Sequence, residues 1–277
     1  MKHKLILVEG LPGAGKTTIS SLIDRLLKEM NIASKLYQEG DLNHPADFES
    51  VSCVGEEVYF QLKQKYSGYL DERMILQEEQ HYLISYGKLK QKYHLDFPNT
   101  LFECLSAKDI YELPFVENQK WIRQNWQRFS EDALGNSLTN VFECCFIQNP
   151  VTVGMIKYGV SDESVIAYVE ELAEIVAGLN PLLIYINQDD IEATFSKAVQ
   201  ERPKEWSQGF MGYYTNQGYG KNHSLEGFSG TVEVLKARRL LEERIFNRLQ
   251  IKKVVINNSR YQIDEVCTQL KRILLSS

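Results

Sequence analysis

Lys4-Leu-Ile-Leu-Val-Glu-Gly-Leu-Pro-Gly-Ala-Gly-Lys-Thr-Thr18 decides how the rest of the chain is read. It begins with a short apolar run of strand type. From Thr18 onward Ile19, Leu22, Ile23, Leu26, Leu27 and Met30 recur at helical spacing. Between the two patterns, Gly10-Leu-Pro-Gly-Ala-Gly-Lys-Thr17 fits GxxxxGK[ST] in the strand-to-helix context that this spacing requires. Phosphate oxygens approach backbone N–H groups closely only where side chains are absent, so Gly10, Gly13 and Gly15 clear the loop and permit positive φ. The expected phosphate cradle comprises Gly10, Leu11, Pro12, Gly13, Ala14, Gly15, Lys16, Thr17 and Thr18. Lys16 can reach β- and γ-phosphates, Thr17 can ligate Mg²⁺ through its hydroxyl, and the helix start favours negative charge.

Working outward, Ser34-Lys-Leu-Tyr-Gln-Glu39 reads as a second strand ending in the polar turn segment Glu39-Gly-Asp-Leu-Asn-His-Pro45. Residues 51 to 93 read as mostly helical, from Val51, Val54, Val58, Leu62, Ile75, Leu83, Tyr86 and Leu89 at mixed three- and four-residue spacings. Residues 96 to 114 are irregular, with room for a short strand or one helical turn. Phe115, Ile122, Trp126 and Phe129 form a helical core stripe. Asn140-Val-Phe-Glu-Cys-Cys-Phe146 reads as a buried strand with Glu143 embedded in it, and a buried acid demands a partner.

A helix follows from Ser161 and Asp162 to Gly178, then a strand at Pro181-Leu-Leu-Ile-Tyr-Ile186. Asp189 and Glu192 resemble a capping box for a helix that Arg202-Pro203 ends. Asn187 to Asp190 has the bare NxxD spacing of a guanine-reading element, but Gln188 replaces its lysine, and helix capping is the reading taken. Residues 207 to 231, rich in glycine and tyrosine, read as a mobile lid. A charged helix striped by Leu235, Leu241, Ile245 and Leu249, the strand Val254-Val-Ile256 and a helix through Ile263, Val266 and Leu270 close the chain. Strand and helix alternate throughout, which predicts a parallel sheet covered on both faces.

Composition narrows the function classes. The chain has 277 residues, 43% apolar and 25% charged, enough for a globular core. With 31 basic against 37 acidic side chains the net charge is −6, which offers no electrostatic footprint for nucleic acid. The apolar run at the start is too short for a signal peptide or a membrane span, so a cytoplasmic location without membrane association is expected. Five cysteines, with no CxxC pair, read as reduced thiols rather than a metal framework. The 30 aromatic residues leave room for a homodimer interface.

At Val8-Glu-Gly-Leu-Pro-Gly-Ala-Gly-Lys-Thr-Thr18 the chain resembles the P-loop kinases of the thymidylate kinase and deoxynucleoside kinase group, in which a Glu-Gly pair leads into the Walker A loop. The resemblance extends over most of the chain through strand and helix order, with strands expected at 4 to 9, 34 to 39, 140 to 146, 181 to 187 and 252 to 257. It implies one α/β domain of P-loop NTPase fold over residues 1 to 277: a five-stranded parallel sheet with helices on both faces, a helical acceptor-side insertion at about 48 to 135, and a lid region at about 190 to 231. By that similarity Glu39 sits where these kinases carry an acid near the phosphoryl acceptor, and Glu143 where they carry the acid after the third core strand. The helix to Arg202 resembles the arm leading to their lid. Three positions depart from the family pattern: Gly40 replaces a proline, Cys144 replaces an arginine, and Lys197 with Arg202 replaces two arginines a turn apart.

Phosphoryl transfer needs a phosphate cradle, a metal, an acid near the acceptor hydroxyl and a mobile cation. The expected catalytic set is Lys16, Glu39, Asp41, Glu143 and Arg202. Thr17 and Glu143 serve Mg²⁺, Glu39 or Asp41 accepts the acceptor's proton, and Arg202 closes over the phosphate. His44, a lone loop histidine, and Glu103 have weaker cases. The expected activity is ATP-dependent transfer to a small-molecule hydroxyl or phosphate acceptor, most simply a nucleoside or nucleoside monophosphate. The alternatives are a kinase of another metabolite or antibiotic, and a nucleotide-hydrolysing switch.

Overall fold

Leu5–Gly10 forms strand β1, every residue of which is buried. In the computed structural model, which describes residues 3 to 275, it runs into α1 (Lys16–Glu29) and β2 (Ser34–Tyr37). Next come β3 (Ser52–Gly55), α2 (Glu56–Tyr66), β4 (Ile75–Glu78), β5 (His81–Ile84), α3 (Tyr86–Tyr93) and α4 (Asn99–Ser106). The long α5 (Phe115–Leu134) leads to β6 (Thr139–Glu143). A short α6 (Gln148–Val151) continues as a π-helical stretch, Thr152–Tyr158, before α7 (Asp162–Ile175) and β7 (Leu182–Asn187). Helices α8 (Ile191–Glu201), α9 (Lys204–Thr215), α10 (Gly218–Asn222) and α11 (Gly227–Arg248) precede β8 (Lys252–Asn257) and α12 (Ile263–Leu275).

The chain divides into two compact units, one containing residues up to Glu39 and from Trp126 onward, the other Gly40–Asn125. The first unit is α/β. Its five strands lie in the order β2-β6-β1-β7-β8, and all their pairings are parallel. Apolar runs without alternation are what such a sheet requires, because helices cover both faces. On one face Ile6, Val8, Val141 and Ile184 pack with Ile19 and Ile23 of α1 and with Leu270 of α12. On the other, Phe142 meets the rings of Trp126 at 5.8 Å and Phe129 at 4.7 Å, both on α5. Tyr185 on that side lies 6.0 Å from Phe246 of α11.

The second unit differs from the expected helical insertion. It contains a three-stranded antiparallel sheet, in the order β3-β5-β4, beside its helices. Val54 and Leu83, counted in the helical pattern, are opposed to Tyr82 and to Cys53 and Leu76 across strand pairs. Each of these strands has four residues, too few for a period-two pattern to stand out from a helical one. The β4–β5 hairpin also lacks the usual Asn-Gly signal. Its turn falls at Glu79-Gln80, with Glu79 at φ +55°. The expected alternation of strand and helix therefore fails here, and the irregular stretch after residue 96 contains α4. Tyr59 stacked on Tyr82 at 3.7 Å forms part of this unit's own core, together with Leu89 and Leu101.

The region read as a mobile lid is helical. Residues 207 to 231 fall on α9, α10 and the start of α11. Two of its glycines serve close packing: a Cβ at Gly218 would lie 2.2 Å from the Ile156 carbonyl oxygen, and one at Gly220 2.2 Å from that of Tyr214. The aromatics form a stack, with Phe210 at 4.1 Å from Tyr214 and Phe195 at 5.3 Å from Phe228. At the start of α8 the cap is Asp190, whose carboxylate accepts the Ala193 N–H, rather than an Asp189 and Glu192 box. No helix among the described residues is long and apolar enough to cross a membrane.

Phe142 bridges the sheet and α5, so Phe142→Ala removes a fully buried ring and leaves a cavity between them. The expected loss of stability is about 3 to 5 kcal/mol, seen as a lower urea midpoint at unchanged slope.

Candidate active site

Parallel pairing places the carboxyl ends of β1, β6 and β7 along one edge, and the glycine-rich loop leaves β1 at that edge. Gly10, Gly13 and Gly15 have φ of +147°, +85° and +91°, the conformations expected of the loop. A Cβ on Gly10 would lie 2.5 Å from the Ile186 carbonyl oxygen, so the neighbouring strand excludes any side chain there. The loop is braced from β7 and β8: Asn258 Nδ2 donates to Ala14 O at 2.8 Å, Gln188 Nε2 to the same oxygen at 3.3 Å, and Tyr261 Oη to Gly13 O at 3.2 Å. Leu11 and Ala14 are buried, which anchors the loop to the core. The first turn of α1 has no side-chain cap and no acidic residue of its own.

Lys16 is buried, and its Nζ donates to the loop's own carbonyls, Gly10 O at 2.8 Å and Leu11 O at 3.1 Å. Thr17 Oγ1 donates to Glu143 Oε1 at 2.5 Å, and Ser20 Oγ to Glu143 Oε2 at 3.4 Å. This pairing follows from register: Glu143 ends β6 opposite Val8, level with the loop. Burial raises the Glu143 carboxyl above its ordinary value and Glu39 adds to that, while Thr17 and Lys16 act in the opposite direction. Glu39, Glu143 and Cys144 each offer one ligand atom within 4.8 Å of the others. With the Thr17 hydroxyl, the two carboxylates supply the hard oxygen ligands that Mg²⁺ takes. Burial pushes the Cys144 thiol far up, so it stays protonated.

Glu9, to which the sequence reading assigned no role, organises the turn after β6. It is 1% exposed and accepts the Phe146 N–H at 2.8 Å and the Gln148 N–H at 2.9 Å. Gln148 Nε2 in turn donates to Glu39 Oε1 at 2.9 Å. An acid at the end of an apolar strand was visible in the opening stretch, but the N–H groups that donate to it lie 137 and 139 residues away.

Lys16, Thr17, Thr18, Glu39, Glu143 and Arg202 line one cleft of 570 Å³. Arg202 rests on the Trp206 ring at 4.2 Å, and Lys197 on that of Tyr261 at 3.4 Å. Asp41 belongs to the other unit, where its carboxylate accepts the Asn43 N–H at 2.8 Å and closes a turn. His44 is a turn cap there, its Nδ1 accepting N–H groups of Ala46 and Asp47, and burial lowers its pKa to about 4. Glu103 is exposed on α4. The cleft also contains Gln148 and Arg238, which sequence reasoning missed. Arg238 is fully buried; its Nε donates to Glu242 Oε1 at 2.6 Å, and Tyr185 Oη donates to the other Glu242 oxygen at 2.6 Å. Only its place on a helix in an otherwise charged run was legible.

Burial raises the Glu9 carboxyl from 4.5 to about 7, although the backbone N–H groups of Gln148, Ile147 and Phe146 oppose the rise. Below pH 4.5 the group is protonated whether folded or unfolded; as pH rises toward 7 the unfolded chain ionises first, so stability falls and then levels off. Urea unfolding of the wild type and Glu9→Gln is expected to show the difference between them shrinking by about 3 kcal/mol across that interval. Compared with family models and with curated proteins, the chain matches none.

Proposed function

We propose that this chain is an ATP-dependent small-molecule kinase of P-loop fold, with a nucleoside or nucleoside monophosphate as its simplest acceptor. The observation that carries the reading is the Thr17–Glu143 hydrogen bond beside Lys16, in a cleft that Glu39 also lines. In it a phosphate cradle, a metal-competent oxygen pair and a carboxylate share one space. Mg²⁺, held by Thr17 and Glu143, would neutralise charge on the transferring phosphates. Lys16 exchanges the Gly10 and Leu11 carbonyls for β- and γ-phosphate oxygens. Gly13 and Gly15 let the nucleotide reach backbone N–H groups.

With a hydroxyl acceptor, its oxygen forms the new bond to the γ-phosphorus. The bond from that phosphorus to the β,γ-bridging oxygen breaks, ADP leaves, and the hydroxyl proton passes to Glu39. Gln148 holds Glu39 through its amide, and Arg202 offers a planar charge from the end of α8. Glu39 is favoured over Asp41 as base because it lines the cleft with Lys16 and Glu143. A cytoplasmic setting is part of the same reading, since the five cysteines include no CxxC pair.

Transfer from γ-labelled ATP and Mg²⁺ into pooled nucleosides, nucleoside monophosphates and other hydroxyl compounds tests the reading. Labelled product is expected with the wild type and at least about 100-fold less with Lys16→Ala at unchanged melting temperature. Glu39→Gln is expected to lower kcat about 100-fold or more with little change in the KM for ATP. Steady phosphate release without labelled product would replace the kinase by a nucleotide-hydrolysing switch.

A further inference from the structure

Arg238 and Gln148 line the same cleft, and each has one buried polar atom without a partner, Nη2 of the arginine and Oε1 of the glutamine. The other edges of the guanidinium are occupied. Nε donates to Glu242 at 2.6 Å, and Nη1 donates to Tyr214 Oη at 2.6 Å and to Thr152 Oγ1 at 3.3 Å. Tyr214 and Thr152 also line the cleft. As both hydroxyl oxygens accept from Arg238, each keeps its own hydrogen for another acceptor. The orientation of Gln148 follows from chemistry: a carboxylate only accepts, so the amide nitrogen faces Glu39 at 2.9 Å and Oε1 points away from it.

Burial works against the charge of Arg238, but Tyr214 and Glu242 outweigh it and hold the guanidinium protonated. A buried N–H of a charged group left without an acceptor is costly, and native proteins retain such groups where a water, an ion or a ligand completes them. The unmatched set here is one guanidinium nitrogen, two hydroxyl hydrogens and one amide oxygen. An oxyanion, with several lone pairs on oxygens spaced to match a guanidinium edge, satisfies those donors better than a single carbonyl does.

We infer that Arg238, with Tyr214 and Thr152, forms an oxyanion subsite that receives a carboxylate or phosphate group of the molecule being phosphorylated, while Gln148 accepts a hydroxyl or N–H of that molecule. This rests on the kinase reading for the word acceptor, but the subsite itself is defined by binding. It makes Arg238 a specificity residue contributed by α11, outside the glycine-rich loop.

Calorimetric titration of the Lys16→Ala protein with inorganic phosphate, and separately with malonate, tests the subsite apart from the phosphate loop. Arg238→Lys, added to Lys16→Ala, retains a cation for Glu242 and removes the second terminal nitrogen. The expected result is anion binding to the single variant and at least tenfold weaker binding to the double variant. Phosphate alone identifies a phosphate monoester, malonate alone a carboxylate, and both the shared oxyanion geometry. No binding of either anion to Lys16→Ala, or equal affinity in the two proteins, overturns the inference.

If the double variant does not fold, hydrogen exchange of the Lys16→Ala protein decides. Anion-dependent protection over residues 228 to 242 supports the subsite, and its absence overturns it. Labelled transfer failing while anion binding persists removes the kinase and keeps the subsite; transfer persisting without Arg238-dependent binding does the reverse.

Discussion

The parallel pairing of β1 with β6 on one side and β7 on the other is the constraint on which the rest depends. It opposes Val8 to Glu143 and Gly10 to Ile186. Three carboxyl ends therefore meet at the point where the glycine-rich loop leaves the sheet. A one-residue slip between β1 and β6 would turn Glu143 to the other face of the sheet and separate it from Thr17. The same pairing explains Gly10, which faces a strand backbone too close for a side chain. The loop needs its braces as well as its glycines: Asn258 and Gln188, from segments after β8 and β7, hold the Ala14 carbonyl.

A second constraint is the cost of burying charge. Glu9, Lys16, Glu143, Arg238 and Glu242 are all buried in the first unit. Backbone N–H groups meet Glu9, carbonyls meet Lys16, hydroxyls meet Glu143, and Tyr185 joins the Arg238–Glu242 pair. Glu9 also does for the turn before α6 what a side-chain cap does at an ordinary helix start, because its oxygens take the N–H groups of Phe146 and Gln148. In this way the first strand, the turn after β6 and Glu39 are joined through Gln148. Of these groups Lys16, Glu39, Glu143, Gln148 and Arg238 line the cleft.

The sheet of the first unit was legible because buried parallel strands write themselves as uninterrupted apolar runs. All five expected strands are present, with ends displaced by a few residues. The second unit was not. Four-residue strands and a Glu79-Gln80 hairpin carry too little local pattern, and Val54 and Leu83 fit a helical stripe as well as a strand. In the aromatic and glycine-rich segment the helices were not legible either: glycine marks loops and tight packing equally, and only the neighbouring Ile156 and Tyr214 carbonyls identify Gly218 and Gly220 as close-packing positions. Thr17 and Glu143, both expected to serve Mg²⁺, lie in direct hydrogen-bond contact, and Asp41 closes a turn in the other unit.

By itself the sequence determined the glycine-rich loop, the helix it opens and the apolar strands around it, because these depend on local spacing, backbone freedom and hydrophobic runs. The tertiary structure alone decided which distant polar groups meet. Glu9 finds the backbone of Phe146 and Gln148, Gln148 finds Glu39, and Arg238 joins Thr152 to Tyr214. Such pairs lie far apart along the chain and leave no periodic trace, since what selects them is the need of a buried charge or amide for a partner within hydrogen-bond reach.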